Sequence, residues 1–322
     1  MIEISHLVKR YGSKFAVDDI SFSVGKGEIV GFLGPNGAGK STTMNILTGY
    51  LSSTSGTAKV GGIDILENPY EAKKLIGFLP EQPPLYIDMK VDEYLNFIYE
   101  LKKCKLNREK HLAEVCEVTK LSDVRGRMIK NLSKGYRQRV GIAQALIGNP
   151  KVLIFDEPTV GLDPKQIIEI RNLIRNLGTD HTIILSTHIL PEVQAVCDRI
   201  VIINQGRLIA DEKTENITRV VEENRLYSVK ICGPQREVLA ALNNVPGVVR
   251  ADAVGERELD SFTYHIESEP GVDVRKPLFY TLSERGWPIL GLEAVGMSLE
   301  DVFMKLMDAD AKKKSAGQRA KR

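Results

Sequence analysis

Three features of this 322-residue chain predict an α/β fold with a smaller α+β domain behind it. Continuous apolar runs, such as Ile29-Val30-Gly31-Phe32-Leu33, Val152-Leu153-Ile154-Phe155 and Ile183-Ile184-Leu185, read as buried parallel strands. Each run ends in a polar tip, and segments of helical apolar spacing lie between them. From about residue 224 the order of elements changes to βαββαβ, the pattern of a ferredoxin-like domain.

Residues 1–28 alternate apolar and polar side chains and read as two antiparallel strands joined by Tyr11-Gly12-Ser13-Lys14. Tyr11 lies at the tip of this hairpin, where an aromatic ring either stacks on a purine or is a half-exposed turn residue. The next strand, 29–33, runs into Gly34-Pro35-Asn36-Gly37-Ala38-Gly39-Lys40-Ser41-Thr42 and then into the helical run Thr43-Met44-Asn45-Ile46-Leu47. Strand, glycine-rich turn and helix is the context of a phosphate-binding loop. Gly34, Asn36, Gly37 and Gly39 leave backbone N–H groups free to curl round an anion, and the helix start adds its positive dipole end. Lys40 supplies a mobile charge for the β- and γ-phosphates, and Ser41, beside Thr42, a hydroxyl for Mg²⁺. A chance match to this pattern is expected in about one per cent of chains of this length.

Leu51 to Gly56 is turn-rich, and Lys59-Val60 with Ile63 and Ile65 form a short strand pair. Strand 76–79 leads into Pro80-Glu81-Gln82-Pro83-Pro84, too proline-rich for a helix interior. Residues 92–148 read as a mainly helical insertion, with Tyr94, Leu95, Ile98 and Leu101 on one face and Leu112, Val115, Cys116 and Thr119 on another. Ser133 is a good N-cap for the helix through Val140 and Leu146, and with Gly135 it forms either a simple cap or a second anion site.

The strand 152–155 ends in Asp156 and Glu157, and ligands of open α/β sheets lie beyond the carboxyl ends of strands. Asp156 is placed to hold the water shell of Mg²⁺, and Glu157 to accept a proton from an attacking water. Asp163, by itself, is an ordinary turn and helix-cap residue. His188 ends the strand 183–187; with two other strands delivering phosphate and metal groups to the same edge, contact with the γ-phosphate is favoured over a structural role. Residues 200–209 read as a closing hairpin.

In the second domain Tyr227, Val229 and Ile231 alternate, a helix carries Val238, Leu239 and Leu242, and Phe262, Tyr264 and Ile266 alternate again. Val274, Leu278 and Leu282 share a helical face, and 289–294 forms the last strand. A short helix over 299–307 and a disordered basic tail are expected after it.

The 44 basic and 42 acidic side chains nearly cancel, so no nucleic-acid partner is expected. Cys104, Cys116, Cys197 and Cys232 are widely spaced and form neither a zinc motif nor a disulfide framework. The apolar runs fall far short of the ~20 residues of a membrane helix, and Met1-Ile2-Glu3 opens no basic-then-apolar leader. A soluble, reduced, cytoplasmic protein is therefore expected.

Together these segments resemble the ATP-binding subunits of ABC transporters over residues 1 to about 222. The run 34–42 is similar to the family's Walker A motif, 132–138 to its signature loop, and 152–157 to its Walker B motif with catalytic glutamate. Likewise 160–163 resembles the D-loop, His188 the switch histidine and Tyr11 the adenine-stacking aromatic. The loop 80–83, the C-terminal extension and the run 298–303 look most like single-cassette subunits of bacterial export-type transporters, including gliding-motility-like and antibiotic-resistance members. Two departures stand out. Lys134 and Tyr136 replace the first glycine pair member and the glutamine of the usual LSGGQ, and Glu81 aligns with the Q-loop glutamine while Gln82 is its neighbour.

The resemblance implies a P-loop ATPase cassette over 1–222, with an antiparallel β subdomain and a helical insertion at about 90–150. Residues 223–309 are then a ferredoxin-like accessory domain and 310–322 the tail. It implies ATP and Mg²⁺ as ligands, Lys40, Glu157 and His188 as the hydrolytic residues, and Ser41, Asp156 and either Glu81 or Gln82 around the metal. An economical use of two separate phosphate-binding helix starts is a head-to-tail pair, Ser133 and Gly135 of one copy closing over the ATP held by Lys40 of the other. The load is expected to be a separate integral membrane permease, holding the cassette at the inner face of the membrane. The rival classes are a soluble ABC ATPase acting on ribosomes or DNA, and a non-catalytic nucleotide-gated module. One cassette without sustained heptads argues against the first, and Glu157 with His188 against the second.

Overall fold

The computed structural model describes residues 1–217, 226–258, 260–269 and 271–295. The chain divides into two compact units, Met1–Thr214 and Glu215–Arg322. The expected boundary at 222, the helix over 299–307 and the basic tail lie outside the described residues.

The first unit contains two sheets. β1 (Ile2–Tyr11) and β2 (Lys14–Val24) form an antiparallel hairpin in which Tyr11 pairs with Lys14, and Ile2, Ile4, Ile20, Phe22 and Val24 alternate inward. β4 (Ser55–Val60) and β5 (Ile63–Asp64) extend that sheet to the order β2-β1-β4-β5. The second sheet has the order β10-β9-β3-β8-β7-β6, from β3 (Ile29–Leu33), β6 (Ile76–Leu79), β7 (Val152–Asp156), β8 (Thr182–Thr187), β9 (Arg199–Asn204) and β10 (Arg207–Lys213). Its strands run parallel apart from the antiparallel β9/β10 hairpin, and β3, β7 and β8 are buried throughout, as covered parallel strands must be. Helix α1 (Lys40–Leu47) supplies Met44, Ile46 and Leu47 to the core shared by the two sheets, where the Phe22 and Phe32 rings stack at 5.4 Å.

A short helix, α2 (Pro69–Lys74), precedes β6 and has no counterpart in the sequence-based reading. The insertion consists of α3 (Val91–Leu101), α4 (Arg108–Val118) and α5 (Lys134–Leu146). Asn107 caps α4 by accepting from Lys110 N, and Ser133 caps α5 by accepting from Tyr136 N at 3.4 Å. Helix α6 (Pro164–Leu177) begins at Asp163, whose carboxylate accepts from Gln166 N, with Pro164 in the first helical position. Its buried Ile170, Leu173, Ile174 and Leu177 keep the i, i+3, i+4, i+7 spacing of one face. Helix α7 (Leu190–Val196) follows β8.

In the second unit β11 (Leu226–Cys232), α8 (Gln235–Asn243), β12 (Val248–Glu258), β13 (Ser261–Ser268), α9 (Arg275–Ser283) and β14 (Ile289–Val295) follow the expected βαββαβ order. The sheet order β12-β13-β11-β14, antiparallel throughout, is the ferredoxin-like arrangement. Tyr227, Val229 and Ile231 pack with Val238, Leu242, Leu278 and Leu282 to form its core.

Among the described residues no helix is long and apolar enough to cross a membrane, and no cluster of His, Cys, Asp and Glu has the makings of a metal site. The four cysteines are free thiols.

Candidate functional site

The parallel sheet delivers its chemistry at one edge. From β3 the chain turns through 34–39 into α1, with Gly37 at φ 79° and Gly39 at φ 111°. A side chain on Gly39 would bring its Cβ within 2.4 Å of the Ala16 carbonyl oxygen, so the loop can close this tightly only with glycine there. Lys40 opens α1 and is almost fully buried; its ammonium donates to the carbonyls of Gly34 at 2.8 Å and Pro35 at 3.2 Å. The same ammonium lies 3.5 Å from Glu157 Oε1.

Glu157 leaves β7 in a left-handed conformation, φ 50°, which a non-glycine side chain adopts at a cost of about 1–3 kcal/mol. The turn is fixed by its N–H donating to the Ser186 carbonyl at 2.9 Å, and it aims the carboxylate at His188. His188 Nδ1 lies 2.9 and 3.0 Å from the two carboxylate oxygens, and since a carboxylate only accepts, Nδ1 carries the proton. One residue back, Asp156 accepts from Ser186 Oγ at 2.7 Å, which orients it at the tip of β7.

Lys40, Glu157 and His188 border a cavity of about 490 Å³, into which the β1/β2 hairpin brings Tyr11, Lys14 and Ala16; Gly34 and Asp156 are not among its lining residues. Asn36, Gly37, Gly39, Lys40, Ser41 and Thr42 line its floor, and Glu81, Glu157, Val160 and His188 its far wall. Tyr11 is half exposed, with the Lys9 ammonium 5.3 Å from its ring centroid. The pocket thus joins an open aromatic, a phosphate-sized glycine cradle, one lysine and three polar groups from separate strands. That arrangement suits a nucleotide triphosphate, base toward Tyr11 and phosphates toward Lys40.

Glu81 and Gln82 separate. Glu81 faces the phosphate cavity, whereas Gln82 borders a different one, of about 550 Å³, with Tyr50, Lys73, Phe78 and Lys102. Ser133, Gly135 and Asp163 are not among the residues lining the phosphate cavity. They lie together at the starts of α5 and α6: a Cβ on Gly135 would meet the Gln166 side-chain amide at 2.5 Å, and one on Gly161 would meet the Lys134 ammonium at 2.0 Å. Lys14 and Ala16 line the cavity although the sequence-based reading gave them no role there, and Val160, the first residue of the D-loop-like run, lines it as well; the pairing of Lys14 with Tyr11 across the hairpin was the available signal for Lys14. A larger cleft, of about 780 Å³, lies between α4 and α6 and has none of these groups.

Residues 17–160 match the ABC transporter family. The chain is 31% identical to the bacitracin transport ATP-binding protein BcrA of Bacillus licheniformis over 95% of its own length and 97% of that protein's. It is 33% identical to the Nod factor export ATP-binding protein I of Ralstonia nicotianae, over 95% and 93% of the two chains. Among solved structures, the cassette MJ0796, a dimer in a post-hydrolysis state bound to ADP and Pi, superposes with a TM-score of 0.60 at 26% identity, over 66% of this chain and 99% of that one. With likeness along nearly the whole chain, this protein belongs to the ABC transporter family, as an ATP-binding subunit that hydrolyses ATP.

Proposed function

We propose that this subunit powers a separate integral membrane permease in the export direction, working as a head-to-tail pair of cassettes that ATP closes and hydrolysis opens. One observation carries the reading: the groups suited to phosphate are divided between two surfaces. Lys40 and the glycine cradle border the cavity, while the capped helix starts at Ser133 and Asp163 stand apart from it. A two-fold pair brings the second surface of one copy over the first surface of the other and makes two equal composite sites. The dimeric assembly of the cassette MJ0796 supports the pairing, the name of the bacitracin relative supports a role in transport, and that of the Nod factor relative supports export. The balance of 44 basic and 42 acidic residues supports a protein rather than a nucleic-acid partner.

Within each site Lys40 holds the β- and γ-phosphates, Tyr11 stacks on the adenine, and Glu157 accepts the proton of the attacking water, with His188 fixing its carboxylate. Ser41, Asp156 and Glu81 offer the oxygen donors that a hard divalent cation takes, and Mg²⁺ held there would neutralise phosphate charge. The permease docks near the loop 80–88 and the helical insertion, which keeps the cassette on the inner face of the membrane. The cavity beside Gln82, rimmed by the exposed Tyr50, is the concave surface available there.

The test is Glu157→Gln in saturating ATP and Mg²⁺. The variant is expected to trap ATP and elute as a dimer in size-exclusion chromatography. A variant that binds ATP yet stays monomeric would overturn the pairing.

A further inference from the structure

We infer that Glu192 is a positioning residue for hydrolysis, a buried carboxylate that holds the strand tips bearing Glu157 and His188 at a fixed separation. Glu192 lies in the first turn of α7 and is 1% exposed. An ionised carboxylate so deeply buried is costly unless its oxygens are bonded, so its partners must be supplied by the fold. They come from the two loops that matter. Thr159 Oγ1, two residues beyond Glu157, donates to Oε1 at 2.5 Å; Thr187 Oγ1, one residue before His188, donates to Oε2 at 3.0 Å. Both hydroxyls are buried.

The cation nearby does not account for the site. Arg171 of α6 approaches Glu192 Oε1 only to 3.8 Å, and its Nε is buried without a hydrogen-bond partner. The carboxylate is therefore held chiefly by the two hydroxyls. Thr187 Oγ1 also accepts from Ile189 N at 3.2 Å, which pins the loop on both sides of His188. Thr159 begins the turn toward Asp163, its carbonyl accepting from Leu162 N, so the same carboxylate ties the histidine loop to the loop leading into α6. A bidentate bridge between two catalytic loops controls their spacing, and a displacement of about 1 Å in such a constellation can cost on the order of 100-fold in rate.

This inference rests on Glu157 and His188 being the hydrolytic pair. The test is steady-state ATP hydrolysis by the full chain with Glu192→Gln, Thr159→Val and Thr187→Val, each hydroxyl deletion nearly isosteric, beside Thr159→Ser and Thr187→Ser. Glu192→Gln and the two valine variants are expected to lower kcat by about tenfold or more while leaving the KM for ATP within about twofold, the signature of an interaction that acts in the transition state. The serine variants are expected to retain activity. Glu192→Gln combined with His188→Ala should be no slower than His188→Ala alone, because the first acts through the second. Retention of kcat within about twofold by Glu192→Gln and both valine variants, with His188→Ala impaired, would overturn the inference; so would multiplicative losses in the double variant. If Glu157→Gln and His188→Ala themselves hydrolyse ATP normally, the assignment of the hydrolytic pair fails and this inference falls with it. Should Glu192→Gln fail to fold, the valine and serine pairs decide the matter.

Discussion

His188 grips Glu157 through a single ring nitrogen shared between both carboxylate oxygens, at 2.9 and 3.0 Å, while Lys40 reaches the Oε1 side at 3.5 Å. The carboxylate is thus aimed by two donors from different elements, at the end of a strand whose last turn is left-handed. If Glu157 is the base, Glu157→Gln should lower the rate of hydrolysis by about 10²–10⁴ without weakening ATP binding, since the amide keeps the shape but loses the charge and the proton affinity. His188→Ala should fall in the same direction by a smaller factor, because Glu157 keeps its contact with Lys40. Single-turnover hydrolysis beside equilibrium nucleotide binding separates the two effects, and a loss under about tenfold for Glu157→Gln would remove it from the mechanism.

The strand tips were legible because each follows a fully apolar run, and a buried parallel strand leaves few other places for Asp156, Glu157 and His188 to go. Ser133 and Asp163 were legible as caps, since their side chains act locally, on Tyr136 and Gln166 three residues on. What depended on distant contacts was not. Glu192 reads in sequence as an ordinary first-turn acid, and only the fold brings Thr159 and Thr187 to it. The choice between Glu81 and Gln82 was open because a loop between prolines has no periodicity to assign faces. Helix α2, for which the sequence-based reading had no element, starts on Pro69, and proline is well suited to a first helical position.

The parting of Glu81 from Gln82 leads to a metal experiment. With Glu81 in the phosphate cavity and Gln82 outside it, Glu81→Ala should raise the Mg²⁺ concentration that gives half-maximal hydrolysis, whereas Gln82→Ala should leave it unchanged. Titrating Mg²⁺ at fixed ATP reads this directly. The opposite ranking would place Gln82 on the nucleotide side of the loop.

His111, which lines the cleft between α4 and α6 and not the cavity beside Lys40, is expected to make the cassette sensitive to acid. Its Nε2 accepts from the Gly148 N–H at 3.0 Å, and burial lowers its pKa below the usual histidine value, with Lys102 adding to the effect and Glu114 opposing it. Protonating Nε2 would remove that acceptor. The unfolded chain binds the proton at about pH 6.5, before the folded one does, so stability is intact above that pH and is lost as the pH falls toward the lower folded value. The melting temperature should therefore drop between neutral pH and about pH 5.5, and His111→Gln, whose amide oxygen can accept from Gly148 without titrating, should show a shallower drop. Parallel melting curves across that range would settle it, and identical slopes would exclude His111 as a source.

The pairing of copies can be tested by mixing two defects. Ser133→Asp preserves the α5 cap, since aspartate caps as well as serine, but puts a negative charge where a partner's phosphate is expected. Lys40→Met removes the phosphate-binding charge and keeps most of the side-chain volume. In a head-to-tail pair each site takes its Lys40 from one copy and its Ser133 from the other, so homodimers of either variant contain no intact site. A mixed pair gathers both defects into one site and leaves the other whole. Equimolar mixing with random assortment makes half the dimers mixed, so about a quarter of all sites should be intact if they act independently. Hydrolysis well above either parent, rising with time after mixing as subunits exchange, is the expected result. Activity that remains the simple average of the parents would mean that each copy completes its own site, and the surface at Ser133 would then need another purpose.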